Sequence, residues 1–157
     1  LKKLLIIGGI IVVIFGLIVF LSNQTDQAKL KDNPYGTEDL EKSTINLIGN
    51  ENYKNIILPE DLFEKVDSGE PVTAYFFSPD CQYCMEMTPR MMPIADEMGV
   101  HVYQYNMLEF YDLAKERYGI ENWPTLVHFR DGKEVGRMSG AQPDENIRMF
   151  FEEFEGK

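Results

Sequence analysis

Val72-Thr73-Ala74-Tyr75-Phe76-Phe77-Ser78-Pro79-Asp80-Cys81-Gln82-Tyr83-Cys84 is the stretch that decides how this chain folds. Its first six residues form a continuous apolar and aromatic run of strand length. Such a run fits a central strand covered on both faces. Ser78-Pro79-Asp80 then makes a turn. Cys81 to about Met98 reads as a helix, interrupted or kinked at Pro89 and Pro93. The stretch therefore places a C-x-x-C pair where a buried strand ends and a helix begins.

Working outward, Ile56-Ile57-Leu58 reads as a short strand. Pro59 to Ser68 reads as a helix, with proline at its start, acids in its first turn and Gly69 after it. Val100 to Tyr105 is a second buried strand, and Leu108 to Tyr118 a helix stopped by Gly119. Thr125 to Phe129 and Glu134 to Met138 form a hairpin across Asp131-Gly132. Asp144 to Phe154 is an amphipathic helix with Ile147, Phe150, Phe151 and Phe154 on one face. This order predicts an α/β domain over residues 53–157, a mixed central sheet flanked by helices.

The N-terminal part has a different character. Leu4 to Leu21 carries no charge. At 1.5 Å per residue it spans roughly 27 Å, close to the hydrocarbon thickness of a bilayer. No small-residue cleavage pattern follows it, so residues 1–21 read as an uncleaved transmembrane anchor. Lys2 and Lys3 precede the run, which predicts a single-pass protein of the cell membrane. Its N-terminus is expected in the cytoplasm and its catalytic domain outside. Residues 22–52 are polar and read as a linker, with a short helix over 37–47 started by Thr37.

The chain has 15 basic and 26 acidic residues, a net charge of −11. With Lys2 and Lys3 set aside, 13 basic and 26 acidic residues remain, net −13. Phosphate backbones repel such a domain, which argues against nucleic-acid binding.

Cys81 and Cys84 are the only cysteines. A ring that short constrains the unfolded chain little, so the pair reads as chemistry and not as a staple. Unpaired N–H groups at the helix start favour a thiolate over a thiol. The first sulfur is placed to attack a disulfide and the second to resolve the mixed disulfide. Zinc would need two further ligands. His101 and His128 lie far apart, each within an expected strand, and do not form a ligand pair. No metal is expected.

Trp123-Pro124-Thr125 precedes an expected strand, where a proline marks a strand start or an unusual turn. With this feature the segment 53–157 resembles the thioredoxin superfamily. Five motifs carry the resemblance in order: Cys81 with Cys84, Pro89 five residues after Cys84, Pro124-Thr125, Asp131-Gly132 and Gly140-Ala141. The resemblance implies a thioredoxin fold, no cofactor, Cys81 as nucleophile, Cys84 as resolving thiol and a cis Pro124. The Pro124 loop would lie against the disulfide and receive an extended protein substrate. Asp80, Gln82, Tyr83, Trp123, Pro124 and Thr125 would shape the site.

Three departures from the family pattern matter. Asp80 stands where tryptophan is usual, and Gln82-Tyr83 replaces Gly-Pro. Tyr75 occupies the position of a buried aspartate that moves protons for the resolving thiol. Glu86, water or the Tyr83 hydroxyl would have to replace it. With the anchor, these features resemble membrane-anchored extracytoplasmic thiol-disulfide oxidoreductases of Gram-positive bacteria, the bacterial disulfide bond type. The implied partners are protein thiols or disulfides and a membrane redox partner. An oxidant would draw on a quinone-linked oxidase, a reductant on a membrane electron carrier. Asp80 opposes a thiolate and favours a reductant, whereas an outside location favours disulfide formation. The direction stays open. The alternative reading is a non-catalytic adaptor or redox sensor of the same fold in a secretion or bacteriocin pathway.

Overall fold

The structure, a computed structural model, describes residues 2–155. Leu1, Gly156 and Lys157, at the ends of the expected anchor and domain, lie outside the described residues.

Helix α1 spans Lys2–Lys31. Its stretch Ile6–Lys31 is long and apolar enough to cross a membrane. The large apolar side chains from Ile6 to Leu21 are all exposed, so none is used to build the domain. The expected loose linker does not begin at Ser22. Ser22 to Lys31 continues the helix, because Gln24, Gln27, Ala28, Lys29 and Lys31 are good helix formers and no glycine or proline breaks them. The helix expected over 37–47 is also shorter. Thr37 Oγ1 accepts from the Asp39 N–H at 3.1 Å, making a local turn, and α2 spans only Lys42–Leu47.

The domain continues through α3 (Pro59–Asp67), β1 (Val72–Phe77), α4 (Gln82–Met98) and β2 (Val102–Asn106). It ends with α5 (Met107–Tyr118), β3 (Thr125–Arg130), β4 (Lys133–Ser139) and α6 (Asp144–Glu155). The four strands form one sheet in the order β2-β1-β3-β4. β1 and β2 are parallel, while β3 runs antiparallel to both β1 and β4. The strand expected at Ile56–Leu58 does not form. Ile56 makes a single bridge to Gln104. The Gln104 side chain ties up Asn52 and Asn55 on one side, and Pro59 starts α3 on the other, so no longer ladder fits.

Alternation along β1 divides the core. Tyr75 and Phe77 face α4 and α6, with Met87, Met91, Leu126, Ile147 and Phe151. Val72, Ala74 and Phe76 face α3 and α5, with Leu62, Val66, Ala114 and Val127. Every residue of β1 is buried. Each fully buried large side chain contributes roughly 1.5–3 kcal/mol over its exposed state. β1 is thus a stiff base for the turn that follows it. Of the interruption or kink expected at Pro89 and Pro93, the interruption does not occur: α4 carries both prolines within one helix and stops at Gly99 in the left-handed region.

Candidate active site at the end of the first strand

The site is built by the end of β1. The Cys81 N–H donates to the Ser78 carbonyl at 3.1 Å, closing the Ser78–Asp80 turn. Cys81 becomes the N-cap of α4. Its Sγ accepts from the Cys84 N–H at 3.2 Å, in the place where a serine or aspartate oxygen usually caps a helix. Both thiols are free. Cys81 is half-buried and Cys84 is fully buried directly behind it.

The Trp123–Pro124 peptide is cis. The Cys81 thiol donates to the Trp123 carbonyl at 3.7 Å, so this loop lies against the outer sulfur. The Pro124 carbonyl accepts from the Gly140 N–H at 2.8 Å, and Thr125 Oγ1 donates to the Asn122 carbonyl at 2.8 Å. These bonds hold the loop against the sheet. The Trp123 ring meets Tyr111 edge to face at 5.8 Å between centroids.

The surroundings of Cys84 are buried but not purely apolar. Burial, above all, pushes its thiol well above the usual value, and its neighbour Cys81 adds to that. The nearby Ser78 backbone and Tyr75 hydroxyl pull the other way, because each favours the thiolate. Tyr75 is fully buried, and burial holds its hydroxyl protonated far into the alkaline range. Its Oη lies 3.1 Å from Thr88 Oγ1. Thr88 has a single hydroxyl proton, which it donates to the Cys84 carbonyl at 2.7 Å. Tyr75 is therefore the donor to Thr88 in this arrangement. Beside them, the Tyr53 hydroxyl donates to the Met85 sulfur at 3.4 Å.

The sequence-expected residues thus separate. Cys81, Cys84, Trp123, Pro124 and Thr125 come together. Asp80, Gln82 and Tyr83 line the exposed rim, where Tyr83 is 64% exposed. Glu86 is exposed and accepts from Gln82 Nε2 at 3.1 Å, on the outside of α4 and not on the buried side where the Cys84 thiol lies. Tyr75 and Thr88 take the inner positions. Their signal was present in the spacing. Thr88 stands one helical turn after Cys84, and Tyr75 shares the α4-facing side of β1 with Phe77.

A family model for Thioredoxin matches residues 51–153. Thioredoxin 1 of Synechococcus elongatus is 35% identical over 82 residues, covering 51% of this chain and 76% of that protein. The thioredoxin domain-containing protein 5 homolog of Drosophila melanogaster is 26% identical over 107 residues, covering 66% of this chain and 26% of that protein. The chain spans 19% to 49% of the length of three of the curated relatives it matches. Among solved structures, a mutant thioredoxin from Halobacterium salinarum superposes with a TM-score of 0.53 at 26% identity. That match covers 60% of this chain and 83% of the other.

Proposed function

Because this chain belongs to the thioredoxin family, we propose that it is a thiol-disulfide oxidoreductase acting on protein substrates through Cys81 and Cys84. The observation that carries the proposal is the position of Cys81 Sγ. It caps α4 within 3.2 Å of the Cys84 N–H and sits 3.7 Å from the carbonyl of the residue before the cis proline.

In the reducing direction, the Cys81 thiolate attacks one sulfur of a substrate disulfide. The Cys81–substrate bond forms as the substrate S–S bond breaks, and the departing sulfur takes up a proton. Cys84 then loses its proton and attacks Cys81 Sγ, expelling the second substrate thiol. Two electrons and two protons pass from the pair to the substrate, and the reverse sequence oxidises a dithiol. The Cys84 N–H serves the anionic form of Cys81. Tyr75 serves Cys84: as that sulfur becomes anionic, the Tyr75 hydroxyl donates to it instead of to Thr88. Trp123, Pro124 and Thr125 present the surface against which an extended substrate segment lies.

Residues 4–21 anchor the chain in the cell membrane with the domain on the outer side. Lys2 and Lys3, directly before the run, support that orientation. A membrane redox partner, either a quinone-linked oxidase or an electron carrier, resets the pair.

The test is Cys81→Ser in two assays, insulin disulfide reduction and refolding of a reduced, disulfide-requiring substrate. Both rates are expected to fall to the uncatalysed level. Unchanged rates in both would remove the enzymatic reading.

A further inference from the structure

The segment between the apolar run and the domain is tied down at every turn. Lys29 Nζ donates to the carbonyls of Ile45 and Asn46 at 3.3 and 3.2 Å, closing the C-terminal end of α2 against α1. Asp26 pairs with Lys42. The joint after α1 is equally fixed. Asn33 Nδ2 donates back to the Leu30 carbonyl at 2.6 Å and forward to the Thr37 carbonyl at 3.0 Å. Asn33 Oδ1 accepts from the Tyr35 N–H at 2.8 Å.

The point of attachment on the domain is specific. Asn106 is fully buried and ends β2. Its Nδ2 donates to Tyr35 Oη and Thr44 Oγ1, both at 3.0 Å, and its Oδ1 caps α5 through the Leu108 N–H at 3.0 Å. Every polar group of that side chain is used, and Tyr35 and Thr44 are buried with it. Asn106 lies in register with Phe77, the last residue of β1. The Ser78–Asp80 turn and Cys81 follow directly. The N-terminal segment therefore docks at the same end of the sheet as the cysteine pair. The other end, with Gly69 and the Asp131-Gly132 turn, is about 20 Å away along β1.

From these ties we propose that residues 22–45 form a rigid strut that turns the Cys81 end of the domain toward the bilayer. The exchange partner is then a cysteine pair displayed at the membrane surface by an integral membrane protein. The proposal rests on the reading of residues 4–21 as a membrane anchor. Ser22 to Lys31 adds about 15 Å of helix above the hydrocarbon edge. The headgroup layer takes up roughly 5–8 Å of that. The joint at Asn33 then lies just above the headgroups. A flexible tether would leave all faces of the domain equivalent with respect to the membrane, whereas a strut docked at Asn106 does not.

The experiment uses the full chain in phosphatidylcholine–phosphatidylglycerol vesicles carrying an acceptor dye on a lipid headgroup. One donor label sits on Cys81 in a Cys84→Ser background. The other sits on Lys133→Cys with Cys81→Ser and Cys84→Ser. Both proteins are expected to sediment with the vesicles and to resist alkaline extraction. Energy transfer is expected to be severalfold stronger from position 81 than from position 133. Equal or reversed transfer from protein that stays with the vesicles overturns the strut and leaves the anchor standing. Protein that is extracted overturns both. As a second readout, a cystine peptide coupled to phosphatidylethanolamine by a short spacer is expected to be reduced faster than the same peptide free in solution. Equal rates count against a membrane-displayed partner.

Discussion

The outer layer of the site, around Cys81, and the inner layer, beneath Cys84, offer a sulfur atom opposite things. Cys81 is reachable from solvent, meets a helix N–H and lies against the Trp123 carbonyl. Cys84 is sealed behind it, in a setting where burial works against the anion and the neighbouring Ser78 backbone and Tyr75 hydroxyl work for it. Only Gln82 and Tyr83 separate the two cysteines in sequence. The helix makes the difference: its first turn leaves the cap position outside and rotates Cys84 onto the sheet. The contrast implies a division of labour in which access decides the first step and hydrogen bonding decides the second.

Removing the inner thiol breaks the comparison most completely. Cys84→Ser is expected to stop turnover and to accumulate a mixed disulfide through Cys81, detectable as a covalent adduct by intact-mass spectrometry. An adduct through position 84 in a Cys81→Ser chain would invert the assignment.

Next in size is Tyr75→Phe, which keeps the ring and deletes the hydroxyl. A hydrogen bond to a charged group is worth about 1.5–3 kcal/mol. Resolution of the mixed disulfide should slow by about tenfold or more, with the first attack unchanged, in a stopped-flow experiment that separates the two phases. The stability cost of losing the Tyr75–Thr88 bond should be only about 1 kcal/mol.

The pH dependence of folding sharpens the same contrast. The folded Cys84 thiol titrates above its usual 9.0. Below that value both folded and unfolded chains hold the proton, and the contribution is fully present. Above it the unfolded chain releases the proton first and is favoured. The reduced protein should therefore lose stability as pH rises beyond about 9, by at most about 1.4 kcal/mol per unit from this group. Urea titrations of the reduced protein and of Cys84→Ser at pH 8 and 10 should show the extra slope only in the former.

The smallest effect belongs to the rim. Asp80→Asn removes an exposed negative charge next to Cys81 and should make the pair more oxidising by about 5–20 mV, measured against a glutathione buffer.

What could be read from the sequence follows the range of the interactions. β1, the start of α4, the hairpin at Asp131-Gly132 and the apolar face of α6 depend on neighbours within one element, and periodicity exposes them. Ile56–Leu58 has the composition of a strand, but Gln104, 48 positions later, uses its side chain to hold Asn52 and Asn55 and limits the pairing to one bridge. The strut was invisible for the same reason. Tyr35 and Asn106 are 71 residues apart, and neither looks unusual alone. At the site, the cysteines and Pro124 could be found by spacing. The Tyr75 hydroxyl could not be assigned to Cys84 until α4 was packed on β1. Glu86 and Tyr83, the alternatives closer in sequence, point to solvent.

The most direct test of the division between the two sulfurs is the alkylation rate of each. The reduced full chain is treated with limiting iodoacetamide at pH 7, and the modified positions are mapped by peptide mass spectrometry over time. Cys81 is expected to react at least about ten times faster than Cys84. Equal rates, or modification of Cys84 first, would contradict the account.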